Sequence, residues 1–420
     1  MSKMISVLSV AIIILIFVLI AATTARNMKP DILRKYTAAT GSHVPISIDG
    51  NKALATFIKD ERLNGNGTFA SPYIIENFVI SASTTHGISI QSTNAYLIIR
   101  NCTILGCFCC CDYHGINLVN TTNVHINNNF LSNTRNGIGL FTSSNNNTLS
   151  GNTADNNDKG ISLSHSSDFN TLSGNTVNNN DKGIELFASS NNTLSRNTVK
   201  NNNFGIDVDH WSNNNTLSGN AAENNSCGIS LIHSHTNTLS GNTVENNNYG
   251  FDLYFSSTNI LSANTAKNNN YGIDLSNLST NNTLSGNTVK NNKYGISLRH
   301  SSHYNLIYSN DICGNTIGQA IEEADCSENQ WDNGITGNYW GIDYINNYPS
   351  GTNDGKIWDT PYEINGTGSG IDHFPLVHAV THTTATASTN TTPSWTFPMF
   401  FLTILALLLP KRRKSLTTNN

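Results

Sequence analysis

The sequence has little charge for its length. Asp, Glu, Lys and Arg make up 12% of its 420 residues, about half of the fraction usual in soluble domains. The net charge at pH 7 is −5, and no cluster of Lys and Arg lies in the central part of the chain. Because a nucleic-acid partner requires a clustered cationic surface to neutralise its phosphates, the composition argues against such a partner.

Local motifs of several enzyme classes are also missing. The chain contains no serine-nucleophile elbow, no phosphate-binding loop and no zinc-protease motif. Apolar residues do not recur at helical spacing in the repeated region, so a helical repeat is excluded there. We assign no catalytic residue from the sequence, and whether the protein is an enzyme stays open.

Long hydrophobic runs are confined to the two ends of the chain. Residues 1–25 combine a lysine, an apolar stretch and small residues, which is typical of a signal peptide or of an uncleaved anchor. Residues 395–410 are predicted to form a short membrane helix, with a buried core helix as the alternative. The basic tail 411–420 would stay in the cytoplasm, and the Thr/Ser-rich residues 379–394 would form a stalk. These features predict an exported, membrane-anchored protein of the cell surface.

In contrast to charge, Asn, Ser, Thr and Gly are abundant and follow a strict repeat. A tetrad consisting of Gly, an apolar residue, any residue and a second apolar residue recurs, after its first step, every 22 or 23 residues. The tetrads start at Gly87, Gly115, Gly137, Gly160, Gly183, Gly205, Gly228, Gly250, Gly272 and Gly295, with a weaker copy at Gly318. A fixed period of this size indicates stacked supersecondary units.

Each repeat is predicted to consist of short strands. The tetrad alternates apolar and polar residues, which is strand periodicity, and two further apolar residues follow in each repeat. We therefore predict an all-β fold, a parallel β-helix (solenoid) of about eleven coils. Each strand would pair with its copies one coil above and one coil below, about 4.8 Å away.

Two columns of asparagine keep this register. Asn tolerates the left-handed backbone of sharp corners, and its amide can both donate and accept hydrogen bonds along the stack. We therefore predict a structural ladder. The first column is Asn152, Asn175, Asn197, Asn220, Asn242, Asn264, Asn287 and Asn310, and a second column lies five residues further along each coil.

The segments that flank the repeat carry a family resemblance. Residues 46–80, with the motifs IDGN, GNGT and SPYIIENFVI, and the sequence QWDNGITGNYWGIDY at 330–344 resemble the two ends of NosD-like β-helix proteins. The motifs DTPYEI at 359–364 and DHFPL at 372–376 extend the resemblance, which covers roughly 45–377. It implies a right-handed coil, and such repeats also occur in carbohydrate-binding proteins, sugar hydrolases and archaeal surface proteins.

The repeat and the resemblance together divide the exported part of the chain into three regions. Residues 26–86 are predicted to be an N-terminal cap with the first coils, residues 87–325 the β-helix repeats, and residues 326–378 a C-terminal capping segment. Caps are expected because the ends of a parallel β-helix are open strand edges.

The resemblance also raises the question of metal binding. NosD-like namesakes are periplasmic accessory proteins for copper-site maturation, and thiolates suit Cu(I). Five cysteines crowd into the one irregular coil, where disulfides are the alternative to metal binding. These cysteines are Cys102, Cys107, Cys109, Cys110 and Cys111. Asp354 and Asp359 are candidates for Ca²⁺ binding through oxygen ligands, with a structural turn as the alternative.

A column of acidic residues is the candidate ligand-binding site. The third residue of successive tetrads is predicted to point outward, and no Arg or Lys evidently pairs with these carboxylates beyond Lys near the first of them. Solubility is the alternative explanation of the column. Its acidic members are Glu185, Asp207, Asp252 and Asp274.

Glycosylation is a further expectation for an exported chain with many Asn-X-Ser/Thr motifs. The candidate acceptors are Asn66, Asn120, Asn191, Asn281 and Asn365.

Three functions from different classes remain. The first is a surface protein that binds extracellular glycans or other surface polymers without catalysis, since a long regular polar face suits an extended polymer. The second is a polysaccharide lyase, hydrolase or epimerase, and the third is a copper-site maturation accessory protein. The sequence ranks them in this order, because its most regular columns are structural ones.

Overall fold

A computed structural model of the protein describes residues 41–107 and 112–380. These residues form a right-handed parallel β-helix, so the predicted fold class is confirmed. Three long parallel sheets run along the axis of the β-helix, and each coil contributes one strand to each sheet. The shortest of the three sheets has eleven strands, in agreement with the predicted eleven coils.

The strands of the three sheets alternate along the chain. Sheet I consists of β2 (Ile46–Asp49), β5 (Ile88–Gln91), β8 (Ile116–Val119), β11 (Asn136–Phe141), β14 (Lys159–Ser164), β17 (Lys182–Phe187), β20 (Phe204–Asp209), β23 (Cys227–Ile232), β26 (Tyr249–Tyr254), β29 (Tyr271–Ser276), β32 (Tyr294–Leu298), β35 (Gly318–Glu322) and β37 (Asn365–Gly366). Sheet II consists of β3 (Tyr73–Glu76), β6 (Leu97–Arg100), β9 (Val124–Asn127), β12 (Thr148–Ser150), β15 (Thr171–Ser173), β18 (Thr193–Ser195), β21 (Thr216–Ser218), β24 (Thr238–Ser240), β27 (Ile260–Ser262), β30 (Thr283–Ser285) and β33 (Leu306–Tyr308). Sheet III consists of β1 (Gly41–His43), β4 (Phe78–Ser81), β7 (Thr103–Leu105), β10 (Phe130–Ser132), β13 (Thr153–Asp155), β16 (Thr176–Asn178), β19 (Thr198–Lys200), β22 (Ala221–Glu223), β25 (Thr243–Glu245), β28 (Thr265–Lys267), β31 (Thr288–Lys290) and β34 (Asp311–Cys313).

The core is a narrow apolar column between the sheets. A regular coil contributes two tetrad residues from sheet I, such as Ile161 and Leu163, one residue from sheet II, such as Leu172, and one from sheet III, such as Val177. All four are fully buried. The tetrad glycine is required because the coils approach closely there: a Cβ atom on Gly205 would lie 2.4 Å from the carbonyl oxygen of the next tetrad glycine.

The asparagine columns form hydrogen-bonded ladders inside the corners. Asn242 Oδ1 accepts from the backbone N–H and from Nδ2 of Asn220, both at 2.9 Å. Its Nδ2 donates to the carbonyl of Leu217 and to Asn264 Oδ1, again at 2.9 Å. The buried Asn amide therefore satisfies backbone groups that a sharp corner leaves without strand partners.

The structure contains ladders that the sequence analysis missed. A third Asn column lies two residues before the buried Leu of sheet II, and a Ser column precedes it by three residues. In the Ser column, for example, the backbone N–H of Ser189 donates to Ser212 Oγ. The third Asn column is Asn147, Asn170, Asn192, Asn215, Asn237, Asn259, Asn282 and Asn305. The signal for it was present, because Asn occupies this position in every one of these coils.

Both ends of the described rod are covered. Helix α1 (Gly50–Asp60) buries Leu54 and Ile58 against the first coils. At the other end lie helix α2 (Ile342–Asn347) and the antiparallel pair β36 (Tyr362–Glu363) and β38 (Ile371–Asp372). Buried aromatic residues, Trp331, Trp340, Tyr344 and Tyr362, fill this C-terminal cap.

The predicted membrane-targeting elements cannot be compared with the fold. The signal segment 1–25, the membrane helix 395–410 and the basic tail 411–420 lie outside the described residues, as does most of the stalk 379–394. Within the described part, no helix is long and apolar enough to cross a membrane.

The ladder predicts a specific cost of substitution. Replacing Asn242 by Leu removes the acceptor of the Asn220 N–H in a fully buried corner, and we expect a loss of roughly 1–3 kcal/mol in the free energy of unfolding. Asn248 is exposed at the next corner of the same coil, and its side chain makes a single hydrogen bond, with Asn270. Asn248→Leu therefore serves as the matched control. Denaturant melts followed by circular dichroism measure both changes. Equal stability of the two variants would contradict the structural role of the ladder.

Candidate functional site

The outer surfaces of the three sheets differ in their regularity. On sheet II, Ser occupies the same outward position in seven consecutive coils, from Ser150 to Ser285. The outward residues of sheet III change between Asn and charged residues, for example from Asn178 to Lys200 to Glu223. On sheet I the outward residues also change from coil to coil, and they combine ion pairs with a stack of three tyrosines. Because charged, hydroxyl and stacked aromatic side chains meet on this one surface, the outer surface of sheet I is the candidate site.

Three columns of side chains make up what we call the sheet I face. The edge column is the residue before each tetrad glycine, the floor column is the third tetrad residue, and the far column lies two residues beyond the floor. From the fourth coil of the repeat onward the edge column is Lys159, Lys182, Phe204, Cys227, Tyr249, Tyr271 and Tyr294. The floor column is Ser162, Glu185, Asp207, Ser230, Asp252, Asp274 and Ser297, and the far column is Ser164, Phe187, Asp209, Ile232, Tyr254 and Ser276, followed by Arg299.

The acidic residues are in register as predicted, but three of them are not exposed. Glu185 and Asp207 are each 1% exposed and Asp274 is 0% exposed. Long side chains of the edge and far columns fold over the floor and cover these carboxylates. The expectation of an open acidic stripe is therefore wrong for Glu185, Asp207 and Asp274.

Lysine lies beside Glu185 as expected, but the expectation that the further carboxylates lack basic partners is wrong for Asp207 and Asp274. Lys182 Nζ lies 2.9 Å from Glu185 Oε1 and 2.6 Å from Asp207 Oδ2, so it bridges two coils. Lys159 Nζ contacts the other oxygen of Glu185 at 2.6 Å. Burial alone would lower the pKa of Lys182, but the two carboxylates outweigh burial and raise it. Lys182 therefore stays protonated as a structural cation.

Arg299 plays the same role at the C-terminal end of the floor. Its Nε and Nη2 atoms donate to the two oxygens of Asp274 at 2.9 and 2.6 Å. This forked pair occupies both carboxylate oxygens, and the hydrogen bonds to Asp274 raise the pKa of Arg299. Arg299 also lies over the Tyr271 ring, 5.1 Å from its centroid.

Asp252 differs from the other floor carboxylates. It is partly exposed, and it makes no ion pair or hydrogen bond with any described residue. Burial, followed by the neighbouring Asp274, raises the pKa of Asp252 to about 7. Asp252 is therefore a partly exposed carboxyl group without a partner among the described residues, and it changes its charge near neutral pH.

The tyrosines beside Asp252 form a ladder of their own. The rings of Tyr249, Tyr271 and Tyr294 stack with centroids 4.9 Å apart and interplanar angles of 8° and 15°. Because the ring faces cover one another, the ladder presents mainly ring edges and hydroxyl groups to a ligand. These groups can donate and accept hydrogen bonds at the spacing of the coils.

Two histidines extend the edge column toward the N-terminal end. His86 and His114 precede the first two tetrad glycines, and their rings are stacked with centroids 4.8 Å apart. Burial, then the nearby His86, Arg135 and Lys159, lowers the pKa of His114 to about 4. The lowered pKa keeps His114 uncharged at neutral pH.

Two cysteines of the predicted cluster, Cys102 and Cys107, lie among the described residues. Cys102 is a free, fully buried thiol whose pKa burial raises to about 11. Cys107 is disulfide-bonded, and residues 109–111, which include Cys109, Cys110 and Cys111, lie outside the described residues.

Metal ligands are not brought together elsewhere in the described part of the chain. Asp354 Oδ1 accepts the backbone N–H groups of Lys356 and Ile357 in a turn, and Asp359 accepts from the hydroxyl of Thr352. No group of three or more His, Cys, Asp and Glu side chains among the described residues is arranged to hold a metal ion.

All five candidate glycosylation acceptors are exposed, namely Asn66, Asn120, Asn191, Asn281 and Asn365.

Comparisons with known proteins agree with the fold. Residues 208–345 match the family described as periplasmic copper-binding protein (NosD), and residues 62–222 match the family described as right-handed β-helix region. No curated protein matches the chain.

Among solved structures, the A-module of mannuronan C-5 epimerase AlgE4 from Azotobacter vinelandii is 15% identical, with a TM-score of 0.52, covering 71% of this chain and 92% of that one. The A-module of AlgE6 from the same organism is 14% identical, with a TM-score of 0.49 and coverages of 73% and 91%. The catalytic domain of a GH87 α-1,3-glucanase is 14% identical, with a TM-score of 0.47 and coverages of 71% and 63%. At such identities the likeness to the AlgE4 module shows the fold alone.

The two kinds of floor carboxylate should respond differently to removal of charge. Asp274→Asn leaves Arg299 without its counter-charge in a covered site, and we expect a loss of about 2–4 kcal/mol in the free energy of unfolding. Asp252→Asn has no such partner to lose. Urea melts of the two variants at neutral pH measure the difference.

The pH dependence gives a second test of Asp252. Because its pKa is raised in the folded state to about 7, its contribution to stability is present when it is protonated and is lost as the pH rises through 7. Asp252→Asn should therefore match the wild type near pH 4 and exceed its stability by roughly 1–3 kcal/mol at pH 8.5. A stability difference that is the same at both pH values would contradict the assigned state of Asp252.

Proposed function

We propose that this NosD-like β-helix repeat protein is exported and binds extended glycan chains along the sheet I face without catalysis. One observation carries the proposal. The outward residues of sheets I and III both change from coil to coil, but those of sheet I join hydroxyl, carboxyl and aromatic groups in one surface. The outward residues of sheet III between β13 and β31 include no aromatic residue. Structural repetition does not require the combination found on sheet I.

The geometry of the rod suits a polymer better than a small ligand. Neighbouring coils repeat at about 4.8 Å, so a chain lying parallel to the rod meets a fresh set of side chains at each coil. Many weak contacts along such a solenoid surface add up to useful affinity. The hydroxyl groups of Tyr249, Tyr271 and Tyr294 provide one row of such contacts, in line with each other.

The comparisons support the substrate class and the compartment. The AlgE4 module, which shares the fold, is named for action on a polysaccharide. The matching family is described as periplasmic, in line with the export expected from residues 1–25.

Binding is favoured over catalysis by the state of the floor carboxylates. Glycoside hydrolysis ordinarily uses two carboxyl groups that both reach the substrate. Here Glu185, Asp207 and Asp274 are buried in ion pairs, which leaves Asp252 as the accessible member of the floor. The second candidate function is polysaccharide modification, because the pKa of Asp252, raised by burial to about 7, suits proton transfer near neutral pH.

A glycan-array screen of the full chain tests the proposal. Tyr271→Ala should weaken binding of any captured glycan about tenfold or more, because it removes the central hydroxyl and breaks the tyrosine ladder. Thr238→Ala, on the outer surface of sheet II, is the matched control and should change binding less than twofold. A melting curve for each variant verifies that the fold is intact.

Two outcomes would contradict the proposal. If Thr238→Ala weakens binding as much as Tyr271→Ala, the glycan does not lie on the sheet I face. If product analysis of the captured glycan finds cleaved or epimerised chains that Asp252→Asn no longer produces, the protein is an enzyme.

A further inference from the structure

The sheet I face carries an excess of negative charge. In its three described columns the cations are Lys159, Lys182 and Arg299, and the carboxylates are Glu185, Asp207, Asp209, Asp252 and Asp274. Three cations against five carboxylates give a net charge of −2 when every group is ionised.

All three cations of these columns are already paired within the protein. Lys159 and Lys182 neutralise Glu185 and Asp207, and the guanidinium of Arg299 is bound to Asp274 through two hydrogen bonds. An anionic sugar would have to displace one of these pairs and expose a covered carboxylate, which is energetically unfavourable. Beside the columns, exposed Lys293 lies over the Tyr294 ring, with Nζ 5.5 Å from its centroid. A uronate carboxylate can therefore meet a free cation at this end of the tyrosine ladder, but the columns themselves offer none beside Asp252.

Two of the five carboxylates have no Lys or Arg partner in these columns. Asp209 is buried, and its Oδ1 lies 2.8 Å from His210 Nδ1. Asp252 is partly exposed and has no partner among the described residues. The groups that act on it are Asp207 and Asp274, which disfavour its ionisation, and Arg299, which favours it. Buried Cys227 lies one coil away in the edge column.

We infer that the glycan bound by the sheet I face carries amino groups in their ammonium form, that one ammonium group contacts Asp252, and that polyuronates bind more weakly. The inference rests on the proposed function and adds the substrate class. A cation at Asp252 supplies the counter-charge that the protein does not provide, and it stabilises the ionised carboxylate between two like charges. A uronate carboxylate at the same position would instead add a third like charge beside Asp252.

The test compares three oligosaccharide probes of equal length on the full chain. They are a trimethylated glucosamine oligomer, whose charge is permanent, a neutral N-acetylglucosamine oligomer and a mannuronate oligomer. Titration calorimetry at low ionic strength should show the cationic probe binding at least about tenfold more tightly than the mannuronate probe. The advantage of the cationic probe should grow between pH 5 and pH 8, because Asp252 then loses its proton while the probe stays charged.

Two variants assign the preference to Asp252. Asp252→Asn should reduce the preference for the cationic probe about tenfold and remove its dependence on pH, while binding of the neutral probe is kept. Glu245→Gln removes a carboxylate of sheet III that pairs with Lys267, and it should leave the preference unchanged.

The failures of the two proposals are distinguishable. If glycans bind to the face but the mannuronate probe binds as tightly as the cationic one, or if Asp252→Asn keeps the preference, the inference on charge is overturned and the proposed function stands. If none of the three probes binds and the array captures no glycan, the proposed function fails and the inference falls with it.

Discussion

The hydrogen bond from one buried asparagine to the next is the interaction on which the rest of the structure depends. Each coil turns sharply at its corners, and the backbone groups there have no strand partner. Asn amides supply one, as when Asn220 and Asn242 join two coils through both backbone and side chain. A corner satisfied in this way needs no charge. The chain can therefore be poor in charged residues and still fold into a long regular rod.

Regular corners have a functional consequence, because they hold the outward residues of successive coils in register. A side chain of sheet I lies next to the side chain at the same position of the next coil. Substitutions at one position of the repeat therefore produce a row of functional groups along the rod. The tyrosine ladder and the Lys182 bridge between Glu185 and Asp207 are both products of this registration. Function can thus be altered on one sheet while the other two keep the repeat intact.

Much of the fold could be predicted from the sequence, because its period is strict. The tetrad glycines, the apolar residues between them and two of the Asn columns fix strands, core and corners. Helix α1 was not predicted, although Leu54 and Ile58 have helical spacing. One pair of apolar residues at helical spacing is a much weaker signal than a pattern repeated ten times. The acidic residues share one column, as predicted, but their surroundings differ from those expected. Aligning the repeats identifies which residues of neighbouring coils lie side by side. The burial of the floor carboxylates, in contrast, depends on how far long side chains such as Lys182 and Arg299 reach across the coils. Lysine was expected near Glu185 only, so the ion pairs of Asp207 with Lys182 and of Asp274 with Arg299 were not predicted. The tyrosine ladder in the edge column was not predicted either.

The central claim is that a glycan lies on the outer surface of sheet I, and hydroxyl-radical footprinting tests it most directly. The full chain would be labelled with and without a bound oligosaccharide, and the modified aromatic residues identified by mass spectrometry. The account predicts protection of Tyr249, Tyr271 and Tyr294, with unchanged labelling of Phe169 and Tyr304, which are 59% exposed at the corner before sheet II. Protection of Phe169 or Tyr304 without protection of the tyrosine ladder would contradict the account.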